Sequence, residues 1–165
     1  ASGFEITPNY RRRLGIDAVD GRDGLSLYDH WADGPRTMHG MTTHGFPILF
    51  FVGYIQAATA ANLTLMFDQQ ATHIAYMAKE TIALGAATLE PTQDAQDGWV
   101  REIQEKRIMN PRFWRECTPG YNNNEGSDKV LSYSGEGYGP GFYAFDDLLK
   151  DWRAKGDMEG LVLGG

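Results

Sequence analysis

The sequence predicts an α+β fold, on three observations. Phe46-Pro47-Ile48-Leu49-Phe50-Phe51-Val52-Gly53 is a continuous apolar run closed by glycine, the pattern of a strand buried on both faces. Leu63, Phe67, Ala71, Ile74, Ala78 and Ile82 then recur at spacings of three and four, which predicts one long helix from about Asn62 to Leu84 with one apolar face and Gly85 as its stop. Two further helices and short C-terminal strands follow. One helix starts at a Thr92 cap and runs to about Met109, ended by Asn110-Pro111. The other spans about Phe142 to Ala154, with Phe145, Leu148, Leu149 and Trp152 on one side and Gly156 after it. Lys129 to Ser134 alternates as a strand should, and Leu161-Val162-Leu163 reads as a short final strand.

The first 45 residues hold little regular structure. Ala1 to Ile6 reads as a strand end running into a turn at Pro8-Asn9, and Leu25 to Trp31 as a short strand or one helical turn. Gly21, Gly24, Gly34 and Gly40 break up the rest. A stretch of this kind inside a compact unit tends to be functional, or to be ordered by something outside it.

Composition excludes several classes. The chain has 165 residues, 42% hydrophobic and 22% charged, the range of one folded soluble domain. Fifteen basic residues stand against 22 acidic ones, for a net charge of -7, which argues against a nucleic-acid binder held by phosphate contacts. The one basic run, Arg11-Arg12-Arg13, is followed by Asp17, Asp20 and Asp23 and reads as a solvated turn. No signal peptide and no apolar stretch of bilayer length is visible, so no membrane partner is expected. Cys117 is the only cysteine and cannot form an internal disulfide, which fits a reducing, cytoplasmic setting.

Motifs narrow the chemistry further. Gly135 to Gly141 is glycine-rich, but Pro140 and Phe142 occupy the positions where a dinucleotide G-x-G-x-x-G needs glycine. It reads as a structural turn. His30, His39, His44 and His73 show no zinc spacing, so no metal site is expected; His39 and His44 lie at the entrance to the apolar run and are weighed as ligand contacts. No G-x-S-x-G is present, and Cys117 has no base beside it in sequence. Trp31-Ala32-Asp33-Gly34-Pro35-Arg36-Thr37 places an indole and a guanidinium within one seven-residue segment, a set suited to a nucleotide, since arginine supplies planar paired donors and indole one N–H and a flat face. The alternative is that the Trp folds onto the core. A strand, a small-residue loop from Tyr54 to Ala61 and a helix N-terminus together also make a common nucleotide site.

The order of these segments resembles the C-terminal part of flavin-dependent Baeyer–Villiger monooxygenases. Ala1-Ser2-Gly3-Phe4 is similar to the A-T-G-F crossover at which the chain returns from the NADP domain to the FAD domain. Trp31 to Gly40 resembles W-x-x-G-P-R-T-x-x-G, and Gly45 to Phe50 resembles G-F-P-N-L-F. Asn62, Asp68-Gln69-Gln70, His73-Ile74-Ala75-Tyr76, Glu116 to Tyr121, Asn123 to Gly126 and Glu159-Gly160-Leu161 continue in family order. Each motif alone is weak; the order and spacing, over nearly the whole chain, are specific. Both G-x-G-x-x-G motifs, the signature with His and Trp-Pro, and the catalytic Arg and Asp of the family do not occur here.

The resemblance implies a piece of an FAD/NAD(P)-binding α/β fold. Residues 1–87 would be the end of the FAD-binding domain with a mobile NADP-contacting loop, and 88–165 an extension packing on it. It implies cofactor contacts at Trp31, Arg36, Thr37, Gly53 and Asn62, and a ketone pocket lined by Ala58, Thr59, Ala60, Ala61 and Leu63, with no catalytic residue in this stretch. FAD and NADP are the implied cofactors of the longer enzyme, with neither expected on these residues alone. The remainder of the chain is the implied partner, and the isolated stretch is expected to expose apolar surface or self-associate. One departure is Gly53-Tyr54-Ile55-Gln56-Ala57-Ala58, where many members have a G-P-G-S-P-like run. Two rival readings are an N-hydroxylating flavin monooxygenase and a standalone binding module without redox chemistry.

Overall fold

The computed structural model describes residue 11, residues 15–108, residue 116 and residues 137–165. The readings for Ala1–Pro8, Cys117 and the Lys129–Ser134 strand lie outside the described residues. Among the described residues the fold has four helices and one two-stranded sheet, in the mixed class that the sequence predicts. After a 3-10 turn at Arg22–Gly24 come α1 (Leu27–His30), α2 (Leu63–Ala83), β1 (Thr88–Pro91), α3 (Gln93–Lys106), α4 (Phe142–Lys155) and β2 (Leu161–Gly164).

Caps set the helix starts where the sequence puts them, whereas α3 stops at Lys106, short of the expected Met109. The Asn62 side chain accepts the Leu65 N–H at 3.1 Å and starts α2. Thr92 accepts the Ala95 N–H at 3.1 Å and starts α3. Each satisfies one of the amide groups a helix start leaves open. Gly156, in the left-handed region at φ 73°, ends α4, a conformation that costs glycine nothing. Leu25–Trp31 resolves into the single helical turn of α1.

The sheet is antiparallel, pairing Thr88 with Gly164, Leu89 with Leu163, Glu90 with Val162 and Pro91 with Leu161. Sequence reading finds β2 and misses β1, whose Glu90 and Pro91 are poor strand formers. Pro91 is tolerated because it closes the strand.

Two expectations need correction. The run Phe46–Val52 is not a strand. Pro47 has no N–H, Ile48 sits at φ 57°, and Ile48 is 61% exposed, with Val52 also exposed. Among the described residues its ties to neighbouring backbone are two single hydrogen bonds, Ile48 N–H to Leu89 O at 3.0 Å and Phe51 N–H to Met41 O at 2.9 Å. A doubly buried strand requires neighbours on both edges and layers on both faces, and the described residues supply neither. The second correction concerns α2. Its expected core stripe faces outward: Leu63, Phe67, Ala71 and Ile82 are exposed, with Ile74 and Ala78 half-buried. The buried side carries Met66, Gln69, Gln70, His73, Met77 and Thr81.

The core has three parts. Met41, Ala57, Ala58, Trp99, Ile103, Phe145 and Leu149 pack between α3 and α4. Met38, Met77, Leu89, Trp152 and Met158 join α2 to the sheet. Leu27, Trp31 and Phe46 close the N-terminal region. The backbones come closest at Gly139, where a Cβ would collide with the Lys106 carbonyl; only glycine fits there.

Candidate functional site

The Trp31–Thr37 segment folds inward. Trp31 is 4% exposed. Its indole N–H donates to Arg36 O at 3.1 Å and to Thr43 Oγ1 at 3.3 Å, and its ring leans on Phe51 with centroids 4.9 Å apart. Thr37 is fully buried; its N–H and its hydroxyl both donate to Gln56 Oε1, at 3.0 and 2.6 Å. The Gln56 amide returns a hydrogen bond to Pro35 O at 2.8 Å, and the Gln56 carbonyl accepts the Trp99 indole N–H at 3.1 Å. Gln56 therefore stitches the loop to α3. Sequence reading noted it only as a departure from the family run, although an amide among small apolar residues is a signal of such a tie.

Arg36 pairs with Asp97 of α3, both side chains being about one-third exposed. Burial raises the Asp97 carboxyl, but hydrogen bonds from Gln93 and Arg36 and the nearby Arg36 and Arg101 charges outweigh it and hold the group below its usual value.

The other predicted positions divide in two. Gly53, at φ 151°, is clamped by Gln70, which accepts the Gly53 N–H and donates to its carbonyl, each at 2.8 Å. Ala58 is fully buried among Trp99, Ile103 and Phe145, so it lines no open surface here. Thr59, Ala61, Asn62 and Leu63 are exposed and Ala60 is half-buried. These residues form one open segment leading into the first turn of α2.

Sequence reading missed a buried polar chain at the centre. His39 Nδ1 lies 3.3 Å from His73 Nε2, and His73 Nδ1 lies 3.1 Å from an Arg153 guanidinium nitrogen. Trp99 and Trp152 stand edge-on to His39 at 5.1 and 5.6 Å between centroids. Burial lowers His39 to about 4; burial first, then the His39 and Arg153 charges, lower His73 to about 2. Both imidazoles are neutral at pH 7. Eighty residues separate His73 from Arg153, and no local pattern links them. His44, the other histidine weighed as a contact, donates from Nδ1 to Pro91 O at 2.9 Å. The described residues contain no cluster able to hold a metal ion and no helix long and apolar enough to cross a membrane.

No family model matches the chain. Pentalenolactone D synthase of Streptomyces exfoliatus is 38% identical over 99% of this chain and 28% of its own length. A Baeyer–Villiger monooxygenase of Streptomyces coelicolor is 41% identical over 82% of this chain and 22% of its own. Further relatives are Baeyer–Villiger monooxygenase 4 of Dietzia sp., 33% identical over 98% of this chain, and an FAD-binding monooxygenase of Hypomyces subiculosus, 37% identical over 97%. Among solved structures, the polycyclic ketone monooxygenase of Thermothelomyces thermophila matches with a TM-score of 0.75 and 32% identity, over 90% of this chain and 24% of that one. The NADP+-bound cyclohexanone monooxygenase of Rhodococcus sp. Phi1 matches in fold, with a TM-score of 0.72 over 90% of this chain and 27% of that one. The chain thus spans about a quarter of the length of the monooxygenases it matches. This bears out the family resemblance on which the sequence reading rests.

Proposed function

We propose that these residues are the C-terminal part of an FAD- and NADPH-dependent monooxygenase that inserts oxygen beside a ketone carbonyl, giving an ester or lactone. The match to a Baeyer–Villiger monooxygenase over 98% of the chain, and to a second over 82%, carries this reading. The outward apolar side of α2 supports it: Leu63, Phe67 and Ile82 are exposed on the helix best suited to bury them, and the remainder of a longer chain would cover them. Residues 1–87 would close the FAD-binding domain and 88–165 would pack on it, in a cytoplasmic enzyme.

The residues fit the two cofactors unequally. The exposed segment Thr59–Leu63 and the first turn of α2, with the positive end of its peptide dipoles, suit an electron-rich ring system and a ketone beside it. Arg36 keeps a third of its side chain open to a phosphate while bound to Asp97. Trp31 must release Arg36 O and Thr43 Oγ1 before its N–H meets a nucleotide, so its contact requires the loop to move. When bound, the flavin supplies the oxygen chemistry. This chain's part is to orient and to keep water out: Gln70 fixes the Gly53 peptide, Gln56 fixes Thr37, and the apolar side of α2 seals against the absent part.

The test is product analysis on the full-length enzyme with bound FAD. Incubation with NADPH, oxygen and cyclic ketones is expected to give lactones one oxygen atom heavier, with NADPH consumed in step. Residues 1–165 alone are expected to be colourless and inactive. An enzyme that converts amines to hydroxylamines and leaves ketones untouched would overturn the reading.

A further inference from the structure

The central polar chain ends in a donor that no described residue accepts. Arginine carries only donors, so His73 Nδ1 accepts from Arg153 at 3.1 Å. A neutral His73 then holds its proton on Nε2 and donates it to His39 Nδ1 at 3.3 Å. His39 must therefore carry its own proton on Nε2. No described residue accepts this N–H, although His39 is only 8% exposed. Fixed tautomers of this kind follow from what the far nitrogen binds.

The His39 ring lines a cleft of about 650 Å³ between α3 and α4. Trp99 and Trp152 line it too, and both indole N–H groups are spent elsewhere, on Gln56 O at 3.1 Å and Glu159 O at 3.0 Å. They offer only ring surface to the cleft. Ala144 and Leu148 add aliphatic wall, and the charged lining is Glu102, Asp147, Asp151 and Lys155. Glu102 is neutralised by Lys106 at 2.7 Å and Lys155 by Glu159 at 2.8 Å. The balance left at the mouth is negative, from Asp147 and Asp151, one helical turn apart on α4.

We propose that this cleft binds a small amphiphilic organic cation. Its carbonyl-type oxygen accepts the His39 Nε2–H, its body lies against Trp99 and Trp152, and its ammonium group sits at Asp147 and Asp151. A cleft-facing donor set among rings selects an oxygen acceptor on an apolar body, because an apolar group there displaces the water that pairs the N–H without replacing its bond. Indole rings with carboxylates at the mouth select a cation at the outer end. An anion meets repulsion at the mouth. The proposal does not depend on the oxygenation reading, and its test reads binding rather than turnover.

The experiment is calorimetric titration of the full-length enzyme with benzoylcholine, which has the phenyl body, the ester carbonyl and the quaternary ammonium. Methyl benzoate lacks the cation, and phenyltrimethylammonium lacks the acceptor. Benzoylcholine is expected to bind one site with Kd of about 0.1–1 mM, a size-limited affinity. Each comparator is expected to bind about 5–10-fold more weakly. His39→Phe is expected to weaken benzoylcholine about 10-fold and phenyltrimethylammonium less than about 2-fold. Asp147→Asn with Asp151→Asn, on the exposed side of α4 where folding is not at risk, is expected to weaken both cations and leave methyl benzoate unchanged. Ala144→Trp, which fills the cleft, is expected to abolish binding of all three. Benzoylcholine binding that is absent, or that survives the paired aspartate variant and Ala144→Trp unchanged, overturns the proposal.

Discussion

Along α2, the side facing the core carries Gln69, Gln70, His73 and Thr81 between Met66 and Met77, while the side facing solvent carries Leu63, Phe67, Ala71 and Ile82. A helix at the edge of a self-contained domain has the opposite arrangement. The inner side is held by directional bonds: Gln70 clamps Gly53, His73 joins His39 to Arg153, and the Thr81 hydroxyl donates to Met77 O at 2.8 Å. The outer Leu63, Phe67, Ala71 and Ile82 side chains can make no such bonds and offer apolar area alone. The contrast separates two kinds of specification. Polar inner contacts fix the geometry within this chain, and the apolar outer stripe needs a surface that these residues do not provide.

The largest way to break the contrast is pH. His39 and His73 are held neutral by burial, at about 4 and about 2, whereas in the unfolded chain each titrates near 6.5. The unfolded state binds more protons below pH 6.5, so stability is full above that value and falls as the pH drops. The fall continues to about pH 4 for His39 and further for His73. Between pH 7 and pH 5 each histidine is expected to cost about 2 kcal/mol, read as a lower urea midpoint. A midpoint constant over that range would contradict the buried neutral pair. Next, Gln70→Ala leaves the Gly53 N–H and carbonyl without their partner and is expected to cost about 2 kcal/mol, with new hydrogen exchange at Gly53 as its local sign.

Trp31→Phe keeps the ring against Phe51 and removes the indole N–H. Because the Thr43 hydroxyl, 2.7 Å from Arg36 O, still bonds that carbonyl, the expected loss of stability is only about 1 kcal/mol. In the full-length enzyme the same change is expected to raise the KM for NADPH about 3–10-fold if the loop swings out to the nucleotide. An unchanged KM would leave Trp31 as a core residue only. The smallest effect within residues 1–165 belongs to the outer stripe. Ile82→Ser, at a residue 75% exposed, is expected to move the stability of residues 1–165 by less than about 0.5 kcal/mol. In the full-length enzyme it is expected to cost about 1–3 kcal/mol.

Local chemistry made the helices legible. Asn62 and Thr92 read as caps because of what an amide or hydroxyl does for open N–H groups, and Gly85 and Gly156 as stops because of the backbone they allow. The apolar stripe of α2 was equally legible, but assigning it to the core assumes that the core lies within the same stretch of chain. Phe46–Val52 misled for the same reason: apolar content reports burial somewhere, and not the strands needed to pair it. The inner bonds were not legible, since Gln56–Thr37 and His73–Arg153 join residues that no periodicity relates. The site divides likewise. Thr59–Leu63 opens outward, while Trp31, Thr37 and Ala58 turn inward.

The most direct test of the account is maleimide labelling of single cysteines at Leu63, Phe67 and Ile82, in a Cys117→Ser background and followed by peptide mass spectrometry. Rates are compared between residues 1–165 alone and the full-length enzyme. The account predicts fast labelling at all three positions in the short form and at least about 10-fold slower labelling in the long one, as burial against the remaining chain requires. Equal rates in the two forms would contradict it, leaving the outer side of α2 a free surface.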